Sequence, residues 1–310
     1  MSSVTICIAT YKRPNMLGNL LESLSVQTVL ENRNVQVKVA IVDNDPSASA
    51  WTIVTQWTDR NSLPIVYEVE KQRGISFVRN RLVRLAKGSD FIAFIDDDEI
   101  AHKNWLEELL HVQDTYNADV LAGPVLPKYQ EQPPDWMIKG KFFDRPQYKT
   151  GDPVKTAGTG NVLVRNALLK QVNGPFEEKL ELQGGEDTLL FTKLSRFFGA
   201  HMVWANHAIV KEYIPSSRIK ASWIVKRRYR SGLTMGTIES HLAEPLSGWR
   251  FVRLAKGIAN VIRGVLLLMP AVFSGRGAQI RAICILAVGA GSIASLMKLK
   301  YNEYQIIHGH

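Results

Sequence analysis

The chain has 310 residues, 45% of them apolar and 22% charged, enough to bury a core without help from disulfides or a structural metal. Its two cysteines, Cys7 and Cys284, match no CxxC or Cys/His spacing, which argues against a disulfide scaffold or a zinc site and fits a reducing cytoplasm. The formal net charge of +9 is unevenly placed: residues 218–310 hold 14 Lys+Arg against 3 Asp+Glu, whereas residues 1–217 hold 24 against 26 and carry no nucleic-acid footprint.

The first apolar run, residues 4–9, lacks the basic n-region and the hydrophobic length of a signal peptide, so the catalytic part is expected to stay in the cytoplasm. Short β-branched runs at residues 4–9, 35–42, 65–69, 91–95 and 120–125 alternate with amphipathic segments, the signature of a mostly parallel sheet flanked by helices. Pro14 opens the first helix, where its missing N–H has no partner to lose, and Met16, Leu17, Leu20, Leu21 and Leu24 recur at helical spacing. Further helices are predicted near residues 48–58, 75–86 and 104–116. From residue 127 to 153 the pattern breaks into Pro, Tyr, Trp and Phe with little periodicity, as in a loop over a site. A strand at 160–164, a helix over 186–197 and a basic helix over 221–231 follow. Two apolar stretches close the chain, 257–273 and 282–297, with Arg263 as their only charge and Arg276, Arg281, Lys298 and Lys300 beside them. As a helix the second is about 24 Å long at ~1.5 Å per residue, short of the ~30 Å hydrocarbon core. The tail is therefore expected to lie on a membrane surface, peripheral or monotopic, with its cations toward anionic headgroups; two ordinary core helices fit the same runs.

The run FIAFIDDDE, residues 91–99, ends an apolar strand on three successive aspartates. Ligands of open α/β sheets bind beyond the carboxyl ends of strands, so Asp96, Asp97 and Asp98 are expected in a substrate crevice, with Asp96 and Asp98 on one side by strand alternation. Clustered carboxylates repel one another unless solvated or neutralised, and hard oxygen ligands select Mg²⁺ or Mn²⁺, whose shell a diphosphate completes. The same triplet also fits an acidic turn. ATYKRP, residues 9–14, places Thr10, Tyr11 and Arg13 after the first strand, where a nucleotide would meet backbone and cationic groups. VDND, residues 42–45, ends the second strand on Asp43, which can serve a base or ribose or close a turn with Asn44, Asp45 and Pro46. In GISFVRNRLV, residues 74–83, Arg79 faces phosphate or solvent and Asn80 can hold a loop.

LQGGEDTLLF, residues 182–191, permits close backbone approach at Gly184 and Gly185 and puts Glu186 and Asp187 in the first turn of a helix, where acids also serve as caps. Transfer onto a hydroxyl needs one base to take its proton; Asp187 is the candidate and Glu186 the alternative. WIVKRRYRSG, residues 223–232, aligns Trp223, Arg227 and Arg230 on one helical face, a dock for a diphosphate or a basic face toward a membrane.

In order, ATYKRP, VDND, RGISFVRN, FIDDDE, GTGNVLVRN, GGEDT and KRRYRSG resemble the family 2 glycosyltransferases of GT-A fold, in particular the succinoglycan-type exopolysaccharide glucosyltransferases, over nearly the whole chain. The resemblance implies an α/β fold of GT-A type with a C-terminal amphipathic helical tail. It also implies a nucleotide-sugar donor, with UDP-glucose expected, an inverting displacement, a lipid diphosphate-linked oligosaccharide acceptor, and Mg²⁺ or Mn²⁺ as cofactor. By motif, Thr10, Tyr11, Arg13, Asp43, Asn80 and Asp96 or Asp97 fall at nucleotide-binding positions, Asp98 with Asp96 at the metal, and Asp187 at the base position. Arg227, Arg228 and Arg230 fall near phosphate, and Glu186, Trp223 and Lys211 toward the acceptor. Lys211 stands where many relatives carry a histidine; a protonated lysine cannot ligate a metal, so His207 or water would complete the shell and Lys211 would contact phosphate.

The expected enzyme is an inverting hexosyltransferase of exopolysaccharide or other cell-surface polysaccharide biosynthesis at the cytoplasmic face of the inner membrane. Residues 1–217 form its nucleotide-sugar-binding and catalytic domain and residues 218–310 its basic, membrane-associating tail. Two readings compete. A sugar-nucleotide pyrophosphorylase also pairs an α/β sheet with acids and a divalent metal, although its glycine-rich loop is not evident near the first strand. A non-catalytic basic membrane adaptor is disfavoured by the charge of residues 1–217. GTGNVL lacks the third glycine of a dinucleotide fingerprint, and no Walker A sequence occurs.

Overall fold

The computed structural model describes residues 2–31, 34–180, 183–244, 247–297 and 299. Lys298 and Lys300, two of the expected headgroup cations, lie outside the described residues. The chain opens with β1 (Ser2–Thr10), α1 (Pro14–Ser25), β2 (Val35–Asp43), α2 (Trp51–Thr58), β3 (Ile65–Val69), α3 (Ile75–Leu85) and β4 (Phe91–Ile95), the alternation the sequence predicts. Next come β5 (Glu99–Ala101), α4 (Trp105–Tyr116), β6 (Val120–Ala122), β7 (Val125–Tyr129), α5 (Asp135–Gly140), β8 (Asn161–Arg165) and α6 (Asn166–Leu169). The remainder is α7 (Glu186–Phe197), β9 (Met202–Trp204), β10 (Val210–Ile214), α8 (Ala221–Leu242), α9 (Trp249–Ala271) and α10 (Arg276–Leu296).

A seven-stranded sheet runs in the order β3-β2-β1-β4-β8-β6-β9, parallel except for β8, which is antiparallel to both neighbours. Its core follows from the pleat. Alternation along β1 and β4 sends Ile6, Ile8, Ala93 and Ile95 toward α1, α2 and α4, and Cys7, Ile92 and Phe94 toward α3 and α7. Both faces are thus apolar, which is why these strands read as unbroken hydrophobic runs.

The single strand expected over 120–125 is two strands in two sheets: β6 stays in the large sheet, and β7 joins β10 and β5 in a three-stranded one. The break falls at Gly123 because a Cβ there would lie 2.5 Å from both the Ala208 carbonyl and Asn161 Nδ2. The stretch expected as a loop, 127–153, therefore begins in β7 and carries α5. The basic helix continues past residue 231 to Leu242. Although assigned by the sequence to the tail, α8 borders the catalytic part on one face and packs through Gly232, Gly236 and Leu233 against α10 on the other. Both cysteines are free and buried.

Candidate active site

The parallel strands β1, β2 and β4 end at one edge of the sheet, and a cleft of about 770 Å³ lies beyond it. Its floor is the acidic turn. Strand alternation stops at Ile95, and a turn closed by the Glu99 N–H on the Asp96 carbonyl (3.1 Å) carries Asp97 and Asp98 together toward Arg13. Arg13 Nη1 donates to Asp97 Oδ1 at 2.9 Å and to Asp98 Oδ2 at 3.2 Å, and Thr10 Oγ1 donates to Asp97 Oδ2 at 2.9 Å. Arg218 reaches Asp98 Oδ2 at 3.6 Å from the opposite wall. Asp96 instead engages Arg79 Nη2 at 3.2 Å. The expectation that Asp96 and Asp98 share one side through the β pleat is thus corrected, since the turn separates them. Burial pushes the Asp98 carboxyl up to about 7, with Arg13 opposing and Asp97 adding to the rise.

The second acidic cluster joins the first through Arg79, which pairs with both Asp96 and Glu186. Gly185, at φ +93°, leads into α7, and a Cβ there would lie 2.2 Å from Thr234 Cγ2 of α8. Glu186 points inward: Oε1 takes Arg79, and Oε2 is buried with no hydrogen-bond partner among the described residues. Burial raises its carboxyl to about 7 against the pull of Arg79, with the Asp187 charge contributing. Asp187 points into the cleft, accepting from the N–H of Thr188 at 2.6 Å and the N–H of Thr159 at 3.4 Å.

The third wall is cationic and aromatic. Trp223 stacks on Phe143 (centroids 5.7 Å apart, 10° between planes), with Arg227 5.3 Å and Arg218 5.6 Å from the Trp223 ring centre. Glu212 pairs with Arg145 at 2.5 Å and with Arg218 at 3.1 Å, and these cations hold it below the ordinary carboxylate range although burial acts the other way. Burial lowers the Arg227 guanidinium to about 10, so this wall holds positive charge out of water. Arg230 lies beside it on the cleft face of α8, and Tyr148 and Trp204 meet edge-to-face at 5.3 Å on the same cleft.

Of the residues singled out by sequence, the cleft brings together Thr10, Tyr11, Arg13, Arg79, Asp96, Asp97, Asp98, Glu186, Asp187, Trp223, Arg227 and Arg230. Others lie off its wall, among them the exposed His207, offered by the sequence to complete a metal shell. Asp43 spends both carboxylate oxygens on the N–H groups of Asp45 and Ala50 and the hydroxyl of Tyr67, each at 2.9 Å, bracing the loop into α2. Asn80 clamps the backbone of Phe176 from both sides, at 2.9 and 3.0 Å, which is the loop-holding role its sequence allowed. Arg228 is partly buried on α8 and does not line the cleft. Lys211 is exposed on β10, whereas its neighbour Glu212 faces the cleft, as successive side chains on a strand must. Sequence reasoning missed Arg145, Arg218, Glu212, Tyr148 and Trp204; only the aromatic, aperiodic stretch around Arg145 and Tyr148 signalled a site.

Among the described residues, no three His, Cys, Asp or Glu side chains converge to hold a metal ion by themselves. The site nevertheless fits a hard divalent cation shared with a ligand. The Asp96 side chain lines the cleft and is 41% exposed. One or two carboxylates, phosphate oxygens and water are the usual shell of such a cation.

Fold and cleft together define an α/β transferase built like the GT-A glycosyltransferases. The chain matches the profile of Glycosyl transferase family 2 over residues 5–172 and belongs to that family. It is 32% identical to the succinoglycan biosynthesis protein ExoM of Rhizobium meliloti, over 97% of this chain and 94% of that protein. It is 26% identical to the putative glycosyltransferase EpsH of Bacillus subtilis, over 75% of this chain and 67% of that protein. Among solved structures, the mannosyltransferase PcManGT of Pyrobaculum calidifontis, in complex with GDP-Man and Mn²⁺, matches with a TM-score of 0.68 at 15% identity, covering 95% and 87% of the two chains. TarS 1–349 of S. aureus in complex with UDP matches with a TM-score of 0.55 at 19% identity, covering 100% and 95%. Family membership leaves the pyrophosphorylase and adaptor readings without support.

Proposed function

We propose that the chain transfers a hexose, with inversion, from a UDP-sugar, UDP-glucose foremost, to a lipid diphosphate-linked oligosaccharide in exopolysaccharide or other cell-surface polysaccharide biosynthesis. It works at the cytoplasmic face of the membrane, with residues 1–217 as the catalytic domain and 218–310 as the membrane-associating tail. The cleft face of α8 joins the catalytic part. One observation carries this function: Asp187 and the turn Asp96–Asp97–Asp98, far apart in the chain, open into one cleft opposite a guanidinium wall. The name of ExoM supports the polysaccharide assignment, that of EpsH supports glycosyl transfer, and TarS with UDP supports the donor.

Thr10, Tyr11 and Arg13 border the nucleotide, while Arg227 and Arg230 meet the diphosphate with planar forks suited to its oxygens. Asp96, with Asp98 beyond the turn, would hold Mg²⁺ or Mn²⁺, and the ion would supply positive charge toward the departing nucleoside diphosphate. Asp187 takes the proton of the acceptor hydroxyl as that oxygen attacks the anomeric carbon. Arg79, tied to Asp96 and Glu186, fixes the distance between the donor acids and the base. Tyr148 and Trp204 offer flat faces to the acceptor sugar, and removing either is expected to raise the acceptor KM while sparing that of the donor.

The test is incubation of purified protein with a panel of UDP- and GDP-sugars, membrane lipid extract and Mn²⁺, followed by mass spectrometry of the lipid product. A single UDP-hexose should add one residue to a lipid-linked saccharide, and EDTA should stop it. Transfer only from GDP-sugars, or undiminished transfer in EDTA, would overturn the donor or metal assignment.

A further inference from the structure

The two apolar tail helices occupy different places. By length and composition α10 could cross a bilayer. It is nevertheless the middle of a stack. Gly232 of α8 meets the backbone of Val288 and Gly291 on one side of α10, and Gly257 and Gly264 of α9 meet Gly289, Ala282 and Leu286 on the other. Small residues at these crossings bring the helix axes to the close end of the usual ~8–10 Å range. The order from the cleft outward is α8, α10, α9.

Only Arg253, Gly257, Gly264 and Ala271 of α9 are buried, one stripe at four- and seven-residue spacing. Arg253 sets the rotation of the helix, pairing with Glu239 of α8 at 2.5 Å and with Ser292 of α10 at 3.3 Å. The opposite face, through Phe251, Ile258, Ile262, Leu266, Met269 and Phe273, is entirely apolar, and these side chains are 46% to 91% exposed. A continuous apolar strip of this length, about 34 Å at ~1.5 Å per residue, is not a surface made for water. Residues 247–297 contain six Lys and Arg and no Asp or Glu, and the exposed Lys256 and Arg263 border the strip on one side.

We propose that α9 lies in the plane of an anionic lipid surface, its apolar face in the acyl boundary and Lys256 and Arg263 among the headgroups, while α10 stays inside the protein as the spacer between α9 and the cleft helix α8. A helix of one-sided apolarity with basic borders is the form that binds membrane interfaces. The proposal rests on the membrane-surface site proposed for the enzyme, and replaces two inserted stretches by one in-plane anchor.

The experiment uses the full chain and vesicles of phosphatidylcholine with or without phosphatidylglycerol. The protein should float with the anionic vesicles, and the double variant Ile262→Glu with Leu266→Glu should lose binding by at least about tenfold. UDP release from the sugar donor in detergent should be unchanged in that variant, so a failure of the anchor is separable from a failure of the transferase. In Ser274→Cys, at the exposed α9–α10 turn, a membrane-impermeant maleimide added outside should label the vesicle-bound protein, because Cys7 and Cys284 are buried. Labelling that appears only after detergent would mean the two helices cross as a hairpin and would overturn the proposal. So would a double variant that binds vesicles normally but changes from dimer to monomer by light scattering, which would give the face to a second copy.

Discussion

Helix α8 separates two surfaces of opposite construction. On its cleft side Arg227 and Arg230 join Arg13, Arg79, Arg145 and Arg218 against six carboxylates, those of Asp96, Asp97, Asp98, Glu186, Asp187 and Glu212, much of that charge buried. On its other side the contacts are glycine against backbone, and the stack ends on a bare apolar face. Charge is withdrawn from water in one region and oil is offered outward in the other. Each arrangement is costly in an isolated soluble protein, the first through desolvation and the second through exposed apolar area, and each is relieved by what it meets. In the proposed function a charged ligand would enter the cleft, and in the proposed anchor a lipid surface would cover α9.

The largest expected effect breaks the chemistry alone. Asp187→Asn should lower transfer by about 10² to 10⁴-fold, the usual span of a general base, while calorimetry finds donor affinity unchanged. A variant that keeps most of its turnover would shift the base to Glu186. The next effect sharpens the contrast between regions. Arg79→Ala strands two carboxylates, Asp96 and Glu186, and should cost about 3 to 5 kcal/mol in urea unfolding, the range for breaking a buried pair. Arg79→Met combined with Glu186→Gln and Asp96→Asn should recover a large part of that loss. Leu266→Gln on α9, by contrast, should stay within about 0.5 kcal/mol in lipid-free buffer, because the residue is 64% exposed on the outer face. If Leu266→Gln proved as damaging as Arg79→Ala, the outer face would be packed in solution and the contrast would fail.

A smaller effect concerns pH. Glu186 titrates near 7 in the folded chain and near 4.3 when unfolded, so the folded state holds the extra proton between those values. Its contribution to stability is present below about pH 4.3 and is lost as pH rises through about 7. Melting temperatures of the ligand-free protein should therefore fall across this window more steeply than those of Glu186→Gln. Parallel curves would show that Arg79 keeps Glu186 ionised throughout.

How much of this was legible follows the range of the interactions. The strands β1 and β4 and helix α1 were plain in the sequence because each buries a continuous or periodic apolar set along its own length. The break at Gly123 was not, because the atoms that forbid a side chain there belong to Asn161 and Ala208. Strands of three residues such as β5 and β9 carry too few side chains to display a period. In the cleft, Asp98 and Asp187 were marked by unusual local runs. Arg145 was not, since its partner Glu212 lies 67 residues away and nothing local separates an ion-paired arginine from a solvated one.

The smallest expected effect lies on one strand. Lys211 and Glu212 are adjacent on β10, and sequence reasoning chose Lys211 for contact with phosphate. The pleat turns that choice over, because Lys211 faces solvent and Glu212 sits among Arg145, Arg218 and Arg227. Lys211→Ala should leave donor affinity unchanged and stability within about 0.5 kcal/mol. Glu212→Gln should lower the melting temperature and change donor affinity, since it leaves three guanidiniums to repel one another until a diphosphate arrives. Tighter donor binding by Glu212→Gln would mean that Glu212 competes with phosphate for this wall; weaker binding would mean that it holds the arginines in the geometry phosphate needs. A loss of donor affinity in Lys211→Ala that exceeds the change in Glu212→Gln would reverse the strand's facing and, with it, the assignment of the cationic wall.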